Sequence, residues 1–220
     1  MRHGATNLFQ FWHDETPPEE VAVLLEAWER DPGFRHRRFD TETADAYIAR
    51  HLGERARAAF RRCAVPAMQA DLFRYCALFI EGGVYLDADS ENRGGLAKVI
   101  AEVAKGLLAS RRNGPQVKII NGFLFVRSPG DPLFERTIGI AIENIERRVS
   151  NNVWEVTGPG IMTGLYRDAA TRSLFDGFDI RPNNRLGEAY AFLTLPYKGT
   201  LDDWRVSVYF PDGGFTIFRD

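Results

Sequence analysis

The chain has 220 residues, a hydrophobic fraction of 45% and a formal net charge of -2. This length and composition are sufficient for one buried core, so we expect a single globular domain. The nearly balanced charge provides no global positive field, which argues against a general nucleic-acid binder.

The cysteines and the apolar runs restrict the class of protein further. Cys63 and Cys76 are the only cysteines, and they match neither a disulfide framework nor a zinc-ligand pattern, so we expect reduced, buried thiols. Residues 1–7 lack the apolar core of a signal peptide, and no apolar run is long enough to span a bilayer. We therefore expect a cytoplasmic protein with no integral membrane segment.

Strand and helix patterns alternate along the first third of the chain, which favours a parallel sheet. Thr16 and Glu19 have the spacing of a capping box at the start of the first helix. Gly53 should end a later helix. The expected strands lie at 7–12 and 34–39, and the expected helices at 16–28, 43–52 and 54–62.

The segment 66–89 combines a helix, a glycine turn and a short strand. Pro66 suits a first helical turn, where a missing N–H group costs nothing. Gly82 can take the left-handed conformation that closes the helix, and Gly83 lets the chain reverse into a buried-type strand at 84–86.

Four charged side chains mark the two ends of this unit. Asp71 and Arg74 are three residues apart on the helix and therefore share a face. Asp87 and Asp89 project beyond the carboxyl end of the strand, which is the edge of an open α/β sheet where ligands bind. A solvated Asp71–Arg74 pair and an acidic turn cap at Asp87 are the alternative interpretations.

The second half of the chain has weaker signals. Gly122 interrupts an apolar strand pattern and indicates a bend or a close backbone approach. The expected elements are helices at 94–103, 132–148 and 161–171, strands at 106–109, 117–126 and 206–210, and a loop at 157–160.

Two carboxylates flanking a small residue suit a hard divalent cation, Mn²⁺ or Mg²⁺, with positions left open for phosphate oxygens. Asp89 would be a direct ligand, whereas Asp87 could bind the ion or accept a hydrogen bond from a ribose hydroxyl. Arg74 could hold a phosphate or sugar oxygen while Asp71 accepts hydrogen bonds from sugar hydroxyls.

Several motifs together resemble glycosyltransferase family 32, whose members contain a DXD motif and have the GT-A fold. The family is related to the catalytic domain of the clostridial glucosylating toxins and to initiating mannosyltransferases. The resemblance rests on the segments Phe9-Gln10-Phe11-Trp12, Asp71-x-x-Arg74-Tyr75, Gly82-Gly83-Val84-Tyr85-Leu86-Asp87-Ala88-Asp89, Asn121 with the following apolar strand, Ser128-Pro129-Gly130-Asp131-Pro132 and Thr157-Gly158-Pro159.

The resemblance implies an α/β fold, namely a Rossmann-like domain of GT-A type with a mainly parallel central sheet flanked by helices. Residues 1–90 would form the nucleotide-binding half and residues 91–220 the acceptor-side half. The implied reaction moves a sugar from a UDP- or GDP-sugar to a saccharide or another hydroxyl acceptor, with retention of configuration and a divalent metal, as in polysaccharide biosynthesis.

The resemblance also implies roles for eight residues. Phe11 or Trp12 would contact the nucleotide base, and Tyr75 and Asn121 would complete the donor site. The implied catalytic residues are Asp71, Arg74 and Asp87, and the implied metal ligands are Asp87 and Asp89.

The C-terminal segment departs from the family pattern, because relatives often have a histidine and a Ser-Trp-like pair there. This chain has no histidine after His51. Ser207, Asp212 or residues 215–220 could supply an oxygen ligand, and Tyr209 or Arg205 could reach the diphosphate.

Two alternatives remain at this point. The chain could bind a nucleotide sugar without transferring it, or it could be a Mg²⁺-dependent phosphatase of the haloacid-dehalogenase type. The phosphatase motif, however, normally sits on the first strand of its domain.

Overall fold

A computed structural model describes residues 5–113, 116–198 and 216–219. Its strands are β1 (Thr6–Phe11), β2 (Phe34–Phe39), β3 (Gly83–Leu86), β4 (Ser90–Asn92), β5 (Gly106–Asn113), β6 (Gln116–Val126), β7 (Phe178–Pro182) and β8 (Tyr190–Phe192). Its helices are α1 (Glu19–Glu29), α2 (Thr41–Arg62), α3 (Pro66–Glu81), α4 (Leu96–Ala101), α5 (Pro132–Arg147), α6 (Val153–Val156) and α7 (Pro159–Arg167), with short 3-10 turns at Arg172–Phe175 and Asn183–Leu186.

The central sheet has six strands in the order β2-β1-β3-β6-β5-β7, and β4 and β8 form a separate two-stranded sheet. Strand β6 runs antiparallel to both of its neighbours, whereas the other adjacent pairs are parallel. The predicted α/β fold with a mainly parallel sheet is therefore confirmed.

Helices cover both faces of the sheet. Leu8 and Phe9 are adjacent on β1 and belong to different hydrophobic clusters, as the alternation of side chains along a strand requires. The Phe9 cluster includes residues of α2, α3, α5 and α7, and the Leu8 cluster includes Trp28 of α1 and Leu96 of α4. The edge where β1 and β3 end stays open between these layers.

Helix α3 is buried along most of its length, since every residue from Met68 to Leu78 is buried. A helix that is buried all round must satisfy its polar side chains inside the protein. Asp71 and Arg74 lie in this segment and are about 5% exposed or less. The alternative of a solvated pair is therefore wrong.

Three expected boundaries differ from the structure. Helix α1 begins at Glu19 with Pro18 as its N-cap and has no side-chain cap, so the capping box from Thr16 is wrong. The cause is local, because a residue that precedes proline avoids the helical region, which keeps Pro17 extended. Helix α4 begins later than expected, at Leu96, and α7 ends earlier than expected, at Arg167. The predicted helix end at Gly53 is confirmed, because this residue has non-helical angles (φ 79°, ψ -174°) that divide α2 into two helical stretches.

Gly122 lies inside a continuous strand, since β6 runs without a break from Gln116 to Val126. The pairing of β6 with β5 shifts register between Leu108–Leu124 and Ser110–Ile119, which places an irregularity at Gly122. The Gly122 backbone also lies close to Asp87, so the structure shows both a strand irregularity and a close approach. The strand expected at 206–210 lies outside the described residues. Within the described ranges, no helix has the length and apolar character needed to cross a membrane.

Candidate functional site

A pocket of about 280 Å³ opens at the carboxyl ends of β1 and β3, beside the first turns of α3. Its position agrees with the rule that ligands of open α/β sheets bind beyond the carboxyl ends of the strands. Tyr197 and Lys198, which follow β8 in the chain, complete its wall. The lining residues are Phe11, Trp12, His13, Pro66, Ala67, Ala70, Arg74, Tyr85, Asp87, Ala88, Asp89, Tyr197 and Lys198.

Arg74 lies at the floor of this pocket and joins three elements. Its Nη2 atom is 3.1 Å from Asp71 Oδ1 and 3.1 Å from Asp87 Oδ1. Its Nη1 atom donates to the carbonyl of Asn121 at 2.6 Å, and its guanidinium lies 4.4 Å from the centre of the Tyr85 ring. One buried cation therefore fixes α3, the end of β3 and the middle of β6.

Asp71 is held by donors from two further elements. Asn121 Nδ2 donates to Oδ1 at 2.8 Å, and Thr157 Oγ1 donates to Oδ2 at 3.0 Å. Burial raises the pKa of the Asp71 carboxyl to about 6, although the adjacent Arg74 opposes the shift. The two hydrogen bonds therefore hold the carboxylate in one orientation.

Asp87 differs from Asp71 because its side chain is 36% exposed and faces the pocket. Its backbone is fixed on both sides, since its N–H donates to the Gly122 carbonyl at 2.9 Å and its own carbonyl accepts from Gln10 Nε2 at 3.2 Å. The strand end thus presents one accessible carboxylate beside Arg74.

Asp89 is more deeply placed, and its two oxygens have different surroundings. Lys198 Nζ lies 2.6 Å from Oδ2, whereas Oδ1 is buried without a hydrogen-bond partner among the described residues. Burial raises the pKa of the Asp89 carboxyl and the Asp87 charge adds to that effect, while Lys198 counteracts both. A buried carboxylate oxygen of this kind is a position that an ion or a water molecule can fill.

A divalent cation fits this donor set. No cluster of three or more His, Cys, Asp or Glu side chains suitable for a metal occurs in the part of the chain that the structure describes. Mg²⁺ and similar ions are often held by one or two carboxylates, with the remaining positions filled by water and substrate phosphates. Asp87 and Asp89 provide such a pair, and the free Oδ1 of Asp89 supports the fit.

The two aromatic residues at the end of β1 have different surroundings. Phe11 packs against Phe73 in the core, with ring centres 5.8 Å apart, and contributes part of the pocket wall. Trp12 is 8% exposed and meets Tyr197 edge-on at 5.2 Å. Trp12 is thus the better placed of the two for contact with a planar ring in the pocket.

Tyr75 and Asn121 are placed behind the pocket and do not line it. Asn121 Nδ2 donates to the Tyr75 hydroxyl at 2.9 Å as well as to Asp71, and the Tyr75 hydroxyl donates to the Gly158 carbonyl at 3.4 Å. Five of the eight predicted residues line the pocket, namely Phe11, Trp12, Arg74, Asp87 and Asp89. Asp71 lies behind the lining in contact with Arg74, and it is supported by Asn121 and, through Asn121, by Tyr75.

Sequence reasoning missed three contributors to this site: Lys198, Thr157 as a partner of Asp71, and the carbonyl group of Asn121. Of the C-terminal candidates, Ser207, Asp212, Arg205 and Tyr209 lie outside the described residues. Within residues 216–219, Ile217 and Phe218 pack into the core, and the Ile217 carbonyl accepts from the Ala64 N–H at 2.9 Å. These two residues do not line the pocket.

A mainly parallel α/β sheet with a DXD motif at the end of a central strand is the arrangement expected of the GT-A fold. Residues 5–104 match the family described as "Glycosyltransferase sugar-binding region containing DXD motif". This part of the chain is similar to that family, and the resemblance inferred from the motifs is confirmed.

Two relatives are similar over longer stretches. The Saccharomyces cerevisiae protein described as "Putative glycosyltransferase HOC1" is 24% identical over 184 residues, which cover 71% of this chain. The match spans about half of that relative, 46% of its length. The solved structure described as "PaToxG Glycosyltransferase" has 17% identity and a TM-score of 0.58, with 96% of this chain and 81% of that chain covered, and shares the fold.

These comparisons favour the glycosyltransferase over the phosphatase alternative. The position of the DXD motif agrees, because two strands and three helices precede β3 in the chain.

Proposed function

We propose that this chain transfers a sugar from a nucleoside-diphosphate sugar, with UDP or GDP as the nucleotide, to a hydroxyl group of a saccharide or another acceptor. The observation that carries the proposal is the buried Arg74, which touches Asp71 and Asp87 at the floor of a pocket that also contains Asp89. The family of residues 5–104 supports the same reaction class.

Asp87 and Asp89 would hold Mn²⁺ or Mg²⁺, and the bound ion would neutralise charge on the departing diphosphate. Arg74 orients the donor through its fixed guanidinium, which needs no reorganisation because α3 and β6 already hold it. Asp71 accepts hydrogen bonds from sugar hydroxyls. The low exposure of the pocket floor limits the access of water, which favours transfer over hydrolysis.

Trp12 would pack against the nucleotide base, and Tyr75 and Asn121 would keep Asp71 in place. In this proposal, residues 1–90 bind the nucleotide, residues 91–220 face the acceptor, and the anomeric configuration is retained. The cytoplasm is the proposed compartment, because Cys63 and Cys76 are buried as free thiols.

A panel of UDP- and GDP-sugars tests the reaction class, with thermal shift and donor hydrolysis measured with and without Mn²⁺. We expect one nucleotide diphosphate to raise the melting temperature only when Mn²⁺ is present, and the matching donor to be hydrolysed or transferred. Asp89→Asn should remove both effects. Asp179→Asn, which changes a partly exposed carboxylate on β7 away from the pocket, is the matched control.

Three outcomes separate the possibilities. Nucleotide-dependent stabilisation without turnover of any donor would favour the alternative of a binding relative that does not transfer sugar. Release of inorganic phosphate from simple phosphate esters would favour the phosphatase. Full donor turnover by Asp89→Asn would contradict the proposed metal role of this residue.

A further inference from the structure

The ammonium group of Lys198 contacts the Asp89 carboxylate, as a bound cation would. Its Nζ atom donates to Asp89 Oδ2 at 2.6 Å and to the Leu193 carbonyl at 3.0 Å. Both partners are close to the pocket, and the Lys198 side chain is 23% exposed. An ammonium group thus supplies the positive charge beside Asp89.

The backbone around Lys198 is fixed to the DXD segment. The Leu193 N–H donates to the Asp89 carbonyl at 2.9 Å, and the Lys198 N–H donates back to the Leu195 carbonyl at 3.0 Å. Just before this turn, Phe192 of β8 pairs with Ser90 of β4. We call residues 193–198 the closing turn, since these bonds bring it against Asp89.

The closing turn also forms one wall of the pocket. Leu195 is buried in a small apolar cluster with Trp12 and Ala88, and Tyr197 meets the Trp12 ring edge-on. The position of Lys198 is therefore coupled to the shape of the surface on which a nucleotide would lie.

A divalent ion at Oδ1 of Asp89 and the Lys198 ammonium group at Oδ2 would repel each other. The 2.6 Å contact places the ammonium group directly on the carboxylate, so a metal bound to the free Oδ1 would face a like charge at short range. Withdrawal of Lys198 removes this repulsion and therefore favours binding of the metal.

We propose that Lys198 is an internal cation that competes with the divalent ion for Asp89, so that metal binding releases the closing turn from the DXD segment. This inference rests on the metal site of the proposed function. It makes Lys198 a residue that sets the affinity of the site for the metal and couples that affinity to the opening of the pocket.

The test measures Mn²⁺ binding to the full chain without nucleotide, from the electron paramagnetic resonance signal of free Mn²⁺. We expect Lys198→Met to bind Mn²⁺ about tenfold more tightly than the unmodified chain, because the competing charge is absent. Lys198→Gln provides a second, polar variant in case the first one folds poorly. Lys98→Met, at an exposed position on α4, is the matched control and should leave the affinity unchanged.

Hydrogen exchange provides a second readout that is independent of turnover. Addition of Mg²⁺ to the unmodified chain should accelerate exchange in peptides that contain residue 193, because the N–H of Leu193 loses its bond to Asp89. Unchanged protection of this amide with the ion bound would contradict release of the closing turn.

The outcomes of the binding experiment are separable. Equal or weaker Mn²⁺ affinity in both Lys198 variants would overturn the competition and leave the proposed function intact. Absence of Mn²⁺ binding in the unmodified chain and in both variants would overturn the metal site itself, and this inference with it.

Discussion

Gly122 and Asp87 fit together so closely that a Cβ atom at position 122 would lie 2.6 Å from Asp87 Oδ2. The same atom would lie 3.0 Å from the ring of Phe192. The N–H of Asp87 donates to the Gly122 carbonyl at 2.9 Å, which holds the two backbones together. The orientation of Asp87, the first acidic residue of the DXD motif, therefore depends on the absence of a side chain at Gly122 on the neighbouring strand β6.

Gly122→Ala should displace the Asp87 carboxylate and reduce donor turnover by about 100-fold, since small displacements of reacting groups have effects of this size. Gly139→Ala is the matched control, because a Cβ there meets nothing within 4 Å. That helical substitution should stabilise the protein by about 0.5–1 kcal/mol and leave turnover unchanged. Measurement of kcat/KM and Tm for both variants checks the pair of expectations. Normal turnover in Gly122→Ala would show that the orientation of Asp87 is unimportant.

Arg74→Lys should reduce donor turnover much more than it reduces binding of the free nucleotide diphosphate. Lysine keeps the charge, but it cannot reproduce the planar fork that contacts Asp71, Asp87 and the Asn121 carbonyl together. We expect a loss of about 100-fold in kcat/KM and a change of less than about threefold in nucleotide Kd. Calorimetry and donor hydrolysis measure the two quantities, with the exposed Arg55→Lys as control. Equal losses in both would assign Arg74 to nucleotide binding.

Trp12→Ala should weaken the binding of the free nucleotide and of the nucleotide sugar by the same factor, in contrast to Arg74→Lys. Stacking of a base on an aromatic ring contributes about 1–3 kcal/mol, so we expect a loss of about tenfold or more in affinity. Trp12→Phe should retain most of it. Trp154→Ala removes an exposed tryptophan outside the pocket and should leave affinity unchanged. Nucleotide affinity that is insensitive to Trp12→Ala would exclude stacking on this residue.

Glu81 provides a stability test at the C-terminal end of α3. Burial acts to raise the pKa of this carboxyl, but hydrogen bonds from Tyr47 at 2.7 Å and Arg37 at 2.6 Å outweigh it and hold the pKa below its usual value. A depressed carboxyl pKa stabilises the fold above the unfolded value of 4.5, and this contribution is lost as the pH falls through the lower folded value.

Glu81→Gln should therefore lower the free energy of unfolding by about 1–2 kcal/mol at pH 7. The difference from the unmodified chain should shrink as the pH falls below 4.5, the unfolded value. Urea titrations at several pH values measure it, with the exposed Glu102→Gln as control. A difference that is the same at every pH would mean that the ionised carboxylate is not the source of the stability.

Local patterns in the sequence were sufficient to predict the unit from α3 to Asp89. Its helix, glycine turn and strand are contiguous, so the spacing alone brings Asp71 and Arg74 to one face and Asp87 and Asp89 to the strand end. The α/β class followed from the alternation of patterns for the same reason. The mistaken start of α1 also has a local cause, in the proline pair that delays the helix.

The remainder of the site depends on contacts between distant parts of the chain. Lys198 is 109 residues from Asp89, and it is a single lysine in a segment without periodic pattern. The Asn121 carbonyl has no side-chain signature, because every residue of a chain carries a backbone carbonyl group. Thr157 reaches Asp71 across 86 residues. Such partners become visible only when the sheet order is known.

The antiparallel strand β6 limits the ability of the family-matched segment to fold alone. The matched segment, residues 5–104, ends before β6. Strand β6 nevertheless pairs with the whole length of β3 and supplies the Asn121 carbonyl that accepts a hydrogen bond from Arg74. A fragment that stopped at residue 104 would leave the apolar strand β3 as an open sheet edge, which is prone to self-association. The segment that matches the family is thus shorter than the stretch of chain that completes the sheet beside β3 and the contacts of Arg74.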